Sequence, residues 1–216
     1  MRTKACKAFS LIELLVSIAI IAIITGLSIA AYGKFTARAQ NVRCVEFVQQ
    51  TKTALEQLYQ LYDGWPAALQ KEAKNGDGML NAVAGVALTV PPPGRDRGMM
   101  SLTYHAFKRD DGAKEYVLTG HDRFGVVTPW AMDYIVHHPD SASLSSKLPG
   151  GGTIQKHILH FAIDLDDDGI TKVAHGYDGD EVLVRAQACA WSYGRDGIPN
   201  TKDDIRSWSK GQEVGK

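Results

Sequence analysis

The sequence predicts an α+β protein, in which one long N-terminal α-helix is followed by a globular head containing a small antiparallel β-sheet. Three observations predict this class. An almost purely apolar run opens the chain, an apolar period of three to four residues continues beyond it, and strand-like segments occur late in the chain. The 216 residues are 44% hydrophobic and 22% charged, which is ordinary for a globular chain.

The overall composition excludes several classes of protein. Lysine plus arginine and aspartate plus glutamate both number 24, so no bulk charge favours nucleic acid as a partner. Three cysteines without a C-x-x-C pair do not build a disulfide scaffold or a thiolate zinc site. No nucleophile elbow, P-loop or dinucleotide fingerprint occurs outside the apolar segment, so we expect no enzymatic activity.

The first element is a basic leader followed by a membrane-length apolar segment. Residues 1–8 contain Arg2, Lys4 and Lys7 and no acid, and no charge interrupts the 19 residues from Leu14 to Tyr32. Those residues would form about 28 Å of helix, close to the thickness of a bilayer core. We therefore predict a transmembrane segment over about 9–32, with the leader on the cytoplasmic side. The alternative is a secretory signal peptide, cleaved near Ser28–Ala30.

Glu13 argues against a plain signal peptide. It is an acid placed inside the apolar run, where a carboxylate costs about 2.5–3.5 kcal/mol even on lenient insertion scales. A signal peptide gains nothing from that cost. A subunit that assembles with copies of itself gains from it if a neighbour brings a positive charge to the same depth.

The segment Ala8-Phe9-Ser10-Leu11-Ile12-Glu13-Leu14-Leu15-Val16 resembles the prepilin-type cleavage and methylation motif of type IV pilins and type II secretion pseudopilins. The resemblance implies that prepilin peptidase cuts between Ala8 and Phe9 and methylates the new amine of Phe9. Glu13 then becomes the fifth mature residue, which in this family pairs with the N-terminal amine of the adjacent subunit. The sequence departs from the family in having Ala8 where glycine is usual, and in lacking the frequent mid-helix proline.

The same resemblance implies a function and a location. The chain would be a subunit of a type II secretion pseudopilus, held in the inner membrane by a single span with its head in the periplasm. Its partners would be prepilin peptidase, copies of itself, other pseudopilins and the inner-membrane secretion platform. The alternatives are a type IV pilin for adhesion, motility or DNA uptake, and a membrane-anchored exported enzyme or binding domain.

Beyond the apolar segment the helical period continues, which predicts one helix over 9–63. The predicted head-facing positions recur at steps of three and four residues: Cys44, Val48, Thr51, Leu55, Leu58 and Tyr62. From Phe9 to Tyr62 the helix would be about 81 Å long. Gly64 would supply the left-handed stop, with Pro66 beyond it. Cys44 would be a packed residue, and we expect no bond between it and Cys189.

The head is predicted to occupy 64–216, a length of 153 residues that suits one domain. Leu159 to Leu165 alternates as a strand does, Val182 to Trp191 reads as a second extended run, and Glu115–Leu118 as a third. The region 79–150 suggests a short helix with loops. The histidines lack metal-ligand spacing and are predicted to be ordinary surface or core residues.

Asp164 to Ile170 matches the first half of a calcium-loop pattern, D-x-D-x-D-G. Its twelfth position is His175 rather than the glutamate that such a loop needs. The pattern therefore favours a hairpin turn in which Asp168-Gly169 joins two strands, over a calcium site.

The stretch Trp191–Trp208 is the stronger candidate for a metal site. It gathers carboxylates, an amide and a hydroxyl on a loop poor in apolar residues, and such oxygen ligands suit calcium. It also resembles the C-terminal loop of the major pseudopilin, which holds a structural calcium ion. That match implies Asp196 and Asp204 as ligands, together with Asp203 and Asn200. The alternative is a solvated acidic loop anchored by Trp191 and Trp208.

Overall fold

The computed structural model describes residues 11–81, 84–85, 88, 125–138 and 141–215. The chain divides into two compact units, Met1–Gln40 and Asn41–Lys216. Helix α1, Leu11–Tyr62, contributes residues to both units. The predicted long helix is thus present, without a break, over the part of it that the structure describes.

The described part of the first unit is an apolar helix with no buried side. Every residue from Leu11 to Ser28 is exposed, and this stretch is long and apolar enough to cross a membrane. A signal sequence would have the same character. The side-chain hydroxyls of this stretch are satisfied locally, because Ser17, Thr25 and Ser28 each donate to the carbonyl oxygen four residues earlier, at 2.7–2.8 Å.

Helix α1 ends one residue earlier than the predicted stop. Tyr62 is its last residue, and the left-handed conformation belongs to Asp63, with φ of 49°, rather than to Gly64. The amide of Gly64 donates to the carbonyl of Tyr59 at 3.2 Å and closes the last turn. Aspartate is one of the few residues besides glycine that tolerate this conformation.

In the described residues the second unit adds short helices and seven strands to the end of α1. The α-helices with both ends described are α2, Ala67–Ala73, and α3, Pro129–His137, and two 3-10 helices lie at Ile154–His157 and Lys210–Gln212. The strands are β1, Gly78–Met79; β2, His160–Ile163; β3, Thr171–Val173; β4, Val182–Val184; β5, Ala188–Ser192; β6, Ile205–Arg206; and β7, Glu213–Gly215. All pairings are antiparallel, and the strands form two sheets ordered β1-β2-β5-β6 and β3-β4-β7.

The first sheet packs on the second half of α1. Five of the six predicted head-facing positions are buried: Cys44, Val48, Thr51, Leu55 and Leu58. Phe161 and Ile163 of β2 and Ala188 and Ala190 of β5 belong to the same apolar cluster as this helix face. Tyr62 remains half exposed, since the helix ends there. The α+β class and the packing of an antiparallel sheet on the helix are therefore confirmed.

The other face of the first sheet is buried by the second sheet. Cys189 and Trp191 of β5 contact a second cluster that includes Val173, Val184 and Trp208. Two-sided burial explains why β2 is buried at all four positions, although the alternation around it suggested one exposed face. Cys44 and Cys189 belong to different clusters and are free thiols, and burial raises the pKa of each to about 12.

One strand prediction needs correction. The run Val182–Trp191 is not one strand, because it divides at residues 185–187 into β4 and β5, which lie in different sheets. The sequence also did not predict the second sheet. The predicted strand Glu115–Leu118 lies outside the described residues, as does most of 79–150, where the described part contains the helix α3.

Candidate functional site

The predicted processing positions Ala8 and Phe9 lie outside the described residues. The predicted assembly residue, Glu13, lies in the first described turn of α1 and is exposed. It is the one acid between Phe9 and Tyr32. The hydroxyl of Ser17 donates to the backbone carbonyl oxygen of Glu13 at 2.7 Å.

The surroundings of Glu13 are apolar side chains that this chain leaves uncovered. Eleven large aliphatic residues between Leu11 and Leu27 are 49–81% exposed, including Ile12 at 67% and Leu27 at 69%. They cover the whole circumference of the helix rather than one stripe. A soluble helix buries one face, whereas this one is suited to an environment that is apolar on every side.

The predicted calcium residues meet in the loop between β5 and β6. The hydroxyl of Thr201 lies 2.6 Å from Asp203 Oδ1, 3.2 Å from Asp204 Oδ1 and 3.5 Å from Asp196 Oδ1. A hydroxyl has one hydrogen to donate, so at most one of these three contacts is fully satisfied by it. The loop thus places three carboxylates around one hydroxyl, but among the described residues the acids whose oxygens all lie within 4.8 Å of one another are those of another turn, Asp164, Asp166 and Asp168. The role of Asp196, Asp203 and Asp204 as ligands stays a prediction.

Asn200 is placed differently from the prediction. Its backbone amide donates to Asp204 Oδ2 at 2.9 Å, and its left-handed backbone, with φ of 64°, turns the loop. Its side-chain amide lies against Gly179 of another loop. The structure therefore gives Asn200 a role in shaping the loop, while its predicted role as a ligand stays a prediction.

The pKa values of the two adjacent acids of this loop, Asp203 and Asp204, are shifted in opposite directions. Partial burial alone would raise the pKa of Asp203, but hydrogen bonds from Thr201 and from the amides of Arg195 and Asp196 outweigh burial and lower it. Burial raises the pKa of Asp204 despite the amide of Asn200 and the guanidinium of Arg206. Asp204 is the more protected of the two, with 1% of its side chain exposed.

Arg206 is a residue of this site that the sequence analysis missed. Its Nη2 atom lies 2.9 Å from Asp204 Oδ2 and 3.2 Å from the carbonyl of Gly176, and its guanidinium stands over the ring of Tyr177. Only 6% of its side chain is exposed. The one available signal was its position two residues after Asp204. A buried ion pair thus already neutralises one of the three carboxylates in part.

The turn at Asp164–Ile170 contains a second group of acids. Carboxylate oxygens of Asp164, Asp166 and Asp168 lie within 4.8 Å of one another, so this exposed group could bind a metal ion. Asp164 itself is buried, and its two oxygens accept hydrogen bonds from the amides of Asp167 and Gly169 at 2.8 and 2.7 Å. The predicted hairpin is wrong, because this turn joins β2 to β3, which lie in different sheets and do not pair with each other.

The histidines behave as packed or surface residues. His157 and His160 are buried, and His160 Nδ1 lies 2.6 Å from Asp77 Oδ1. His137 and His138 are exposed at the end of α3, where each contacts a backbone carbonyl four residues earlier. In the described residues no histidine belongs to a group of three or more possible metal ligands.

Comparison with known proteins identifies the N-terminal segment. Residues 3–29 match the family described as the prokaryotic N-terminal methylation motif. A fimbrial protein of Pseudomonas aeruginosa is 47% identical over 53 residues, which are 24% of this chain and 34% of that protein. The type IV major pilin protein PilE1 of Neisseria gonorrhoeae is 37% identical over 60 residues, covering 28% of this chain and 36% of its own length.

A fimbrial protein, EcpC of Eikenella corrodens, is 34% identical over 84 residues, which are 39% of this chain and 47% of that protein. The matches thus span between a third and a half of the length of these relatives. No solved structure matches the chain at a significant level. The N-terminal part of the chain is therefore type IV pilin-like and carries an N-terminal methylation motif.

Proposed function

We propose that this protein is the subunit of a type IV pilin-type filament. Prepilin peptidase would cleave it between Ala8 and Phe9 and methylate Phe9, after the apolar helix has placed it in the inner membrane with its head outside. The observation that carries the proposal is the methylation motif over residues 3–29, which contains the stretch Leu11–Ser28 of a helix that is apolar on all sides.

The exposed surface of the helix requires an apolar environment both before and after assembly. Covering the eleven large aliphatic side chains between Leu11 and Leu27 is worth on the order of 20 kcal/mol relative to leaving them in water. Lipid covers them before assembly, and the helices of neighbouring subunits cover them in a filament. Because both environments are apolar, the surface permits the transfer and does not by itself specify the register between subunits.

Glu13 would specify that register. Its carboxylate is unfavourable in an apolar environment without a partner, and the cleaved N-terminal amine of a neighbour carries the opposite charge. Pairing the two groups in a low-dielectric core removes the cost of burying either alone. A subunit shifted along the filament axis would leave both charges unpaired, so the pair would select one axial position.

The N-terminus of the protein recovered from bacterial membranes tests the processing step. We expect the intact mass and terminal sequence to show a chain that begins at methylated Phe9. A chain that begins near Ala31 would instead make the segment a cleaved signal peptide, and would contradict the proposal.

Substitution of Glu13 tests the assembly step. We expect Glu13→Ala to abolish filaments seen by electron microscopy while the protein remains processed, membrane-bound and folded in its head. Glu46→Ala is the matched control, because Glu46 is an exposed acid on the same helix, outside the apolar segment. Normal filaments from Glu13→Ala, or equal loss in both variants, would contradict the role of the carboxylate.

A second candidate function is a subunit of a type II secretion pseudopilus, favoured by the acidic C-terminal loop. The chemistry of the donors suits calcium, because the carboxylates of Asp196, Asp203 and Asp204 all lie within 3.5 Å of one hydroxyl that can donate to only one of them. These carboxylates would hold the ion, and the ion would neutralise their mutual repulsion. The relatives reported above are named as fimbrial proteins and pilins, which favours the pilus as the first candidate.

Calorimetry with and without a chelator tests the calcium site. A site saturated to a hundred times its dissociation constant adds about 2.7 kcal/mol, or about 5–10 °C in Tm for a head of this size. We expect the chelator to lower the Tm of the wild-type protein by this amount and to leave Asp203→Asn unaffected.

Asp166→Asn is the matched control, since Asp166 belongs to the other group of acids. It should keep the full response to the chelator. If the chelator no longer lowers the Tm of Asp166→Asn but still lowers that of Asp203→Asn, the metal is bound at the turn after β2 instead. No response in the wild-type protein would leave the loop without a structural ion.

A further inference from the structure

We propose that the helical segment Tyr32–Arg38 binds the anionic headgroups of phospholipids on the head side of the membrane. The inference rests on the proposed membrane insertion of residues 9–32. It concerns the few turns of α1 that follow the apolar segment, and all of its residues belong to the first compact unit.

The charges of this region have one sign. Between Glu13 and Glu46 the sequence contains no acid, whereas Lys34, Arg38 and Arg43 are basic. Arg38 is exposed, and it takes part in none of the ion pairs of the described residues. An exposed positive charge on a helix without nearby acids favours an anionic partner.

The position along the helix selects a lipid surface as that partner. If the hydrocarbon ends near Tyr32, Lys34 follows at about 3 Å and Arg38 at about 9 Å along the axis. The headgroup layer is about 5–8 Å thick on each side of the hydrocarbon. Lys34 therefore falls inside this layer, and Arg38 lies within reach of it through its long side chain and within one screening length.

Two aromatic residues mark the same depth. Tyr32 is 70% exposed and Phe35 is 71% exposed, so this chain covers neither of them. A tyrosine at the end of an apolar helix suits the membrane interface, because its ring packs on acyl chains while its hydroxyl reaches water. Tyr32 with Lys34 and Arg38 thus combines an interfacial aromatic anchor with cations placed just outside it.

The consequence is an electrostatic contribution to holding the subunit in the membrane before assembly. Cleavage removes the leader with its three basic residues, while the cations after Tyr32 remain in the mature chain. Each basic residue near an anionic surface favours the bound state by roughly fivefold at low salt. Extraction of the subunit into a filament would have to replace these lipid contacts.

The test uses the full chain reconstituted in mixed vesicles of phosphatidylcholine and phosphatidylglycerol. Electron spin resonance of spin-labelled lipids measures which of the two lipids the protein selects at its surface. We expect selection of spin-labelled phosphatidylglycerol by about threefold or more at low salt, falling towards parity in 1 M salt, where the screening length is about 3 Å. Lys34→Gln/Arg38→Gln should lose most of this selection.

The matched control is Lys74→Gln/Lys147→Gln, which removes two exposed lysines from the head and should keep the selection. The leader is the same in all three proteins, so the difference between them belongs to the substituted residues. Unchanged Tm of the head would show that the variants are folded. Selection retained in Lys34→Gln/Arg38→Gln would overturn the inference.

Two further outcomes separate this inference from the proposed function. Full extraction of the wild-type chain from the vesicles by alkaline carbonate would contradict the membrane insertion itself. The wild-type chain could instead stay in the vesicles without selecting either lipid, while filaments fail only in Lys34→Gln/Arg38→Gln. That result would assign these cations to an acidic surface of a neighbouring subunit and would overturn the lipid assignment alone.

Discussion

At the scale of single residues, His157 shows how a buried titratable group is held neutral. Its Nε2 atom lies 3.1 Å from the carbonyl oxygen of Gly151, which can only accept, so Nε2 carries the hydrogen. Its Nδ1 atom then accepts from the hydroxyl of Thr128, also at 3.1 Å. Burial lowers the pKa of His157, although the carbonyl of Gly151 and the nearby Asp196 and Asp203 oppose that shift.

This lowered pKa predicts a loss of stability in mild acid. The folded state disfavours protonation of His157, so its contribution is fully present above the unfolded pKa of about 6.5 and is lost as pH falls towards the folded value. We expect the free energy of unfolding to fall between pH 7.5 and 5.5, as measured by urea denaturation followed by circular dichroism.

His157→Gln should flatten this pH dependence, because glutamine keeps a donor and an acceptor without titrating. His138→Gln is the control, since His138 is exposed at the end of α3 and should leave the dependence unchanged. An equal slope in His157→Gln and the wild-type protein would assign the acid sensitivity to other groups.

Residue-scale contacts of this kind were the least predictable from the sequence. Glu13 stood out because it is an acid in an apolar run, and the carboxylates of the C-terminal loop stood out because they are close in sequence. His157 and Arg206 lack such a signal. Each is buried because segments distant in the chain supply its hydrogen bonds or its cover, and local pattern does not encode those segments.

At the scale of elements, periodicity predicted α1 well and the strands only in part. The apolar period of the helix repeats over many turns, so its head-facing side could be read without knowing what covers it. The strands are two to five residues long and are buried on both faces in several cases. Alternation then disappears, which is why β4 and β5 looked like one extended run.

The conformation of the loop after β5 requires a glycine at position 194. Its φ is +67°, and a Cβ atom there would lie 2.4 Å from the carbonyl oxygen and from Oδ2 of Asp203. We expect Gly194→Ala to lower the free energy of unfolding by about 2 kcal/mol or more, because it adds left-handed strain and displaces Asp203. It should also remove any response to chelator. Urea denaturation measures both effects.

Gly211→Ala is the matched control for that substitution. The nearest atom to a Cβ at Gly211 is Ser209 Oγ at 4.0 Å, so we expect a change within about 0.5 kcal/mol. Equal effects at the two glycines would mean that the contact with Asp203 does not support the loop.

At the scale of the whole molecule, the two compact units differ in what they need in order to be stable. Among the described residues, the large apolar cluster of the second unit begins at Cys44. The first unit has no buried residue in its membrane-length part. Sequence composition alone revealed this asymmetry, because apolar residues crowd the start of the chain, but it did not reveal the two-sheet arrangement of the head.

This separation predicts that the segment Asn41–Lys216 folds without the rest of the chain. We expect it to be a soluble monomer by size-exclusion chromatography, with cooperative thermal unfolding by calorimetry, and to form no filaments. Aggregation, or unfolding without a cooperative transition, would mean that the head depends on residues before Asn41. Filaments from this segment would contradict the role of the apolar helix.

The four tryptophans give the molecule an optical property that follows from their placement. Trp65, Trp130, Trp191 and Trp208 all belong to the second unit and are 1–8% exposed, and the sequence contains no other tryptophan. Their emission therefore reports the folding of the head alone, while the apolar helix is silent at that wavelength. The edge-to-face contact of Trp191 and Trp208, at 5.8 Å, joins β5 to the segment after β6. An intact head can thus be recognised by its own fluorescence inside vesicles and filaments, without an added label.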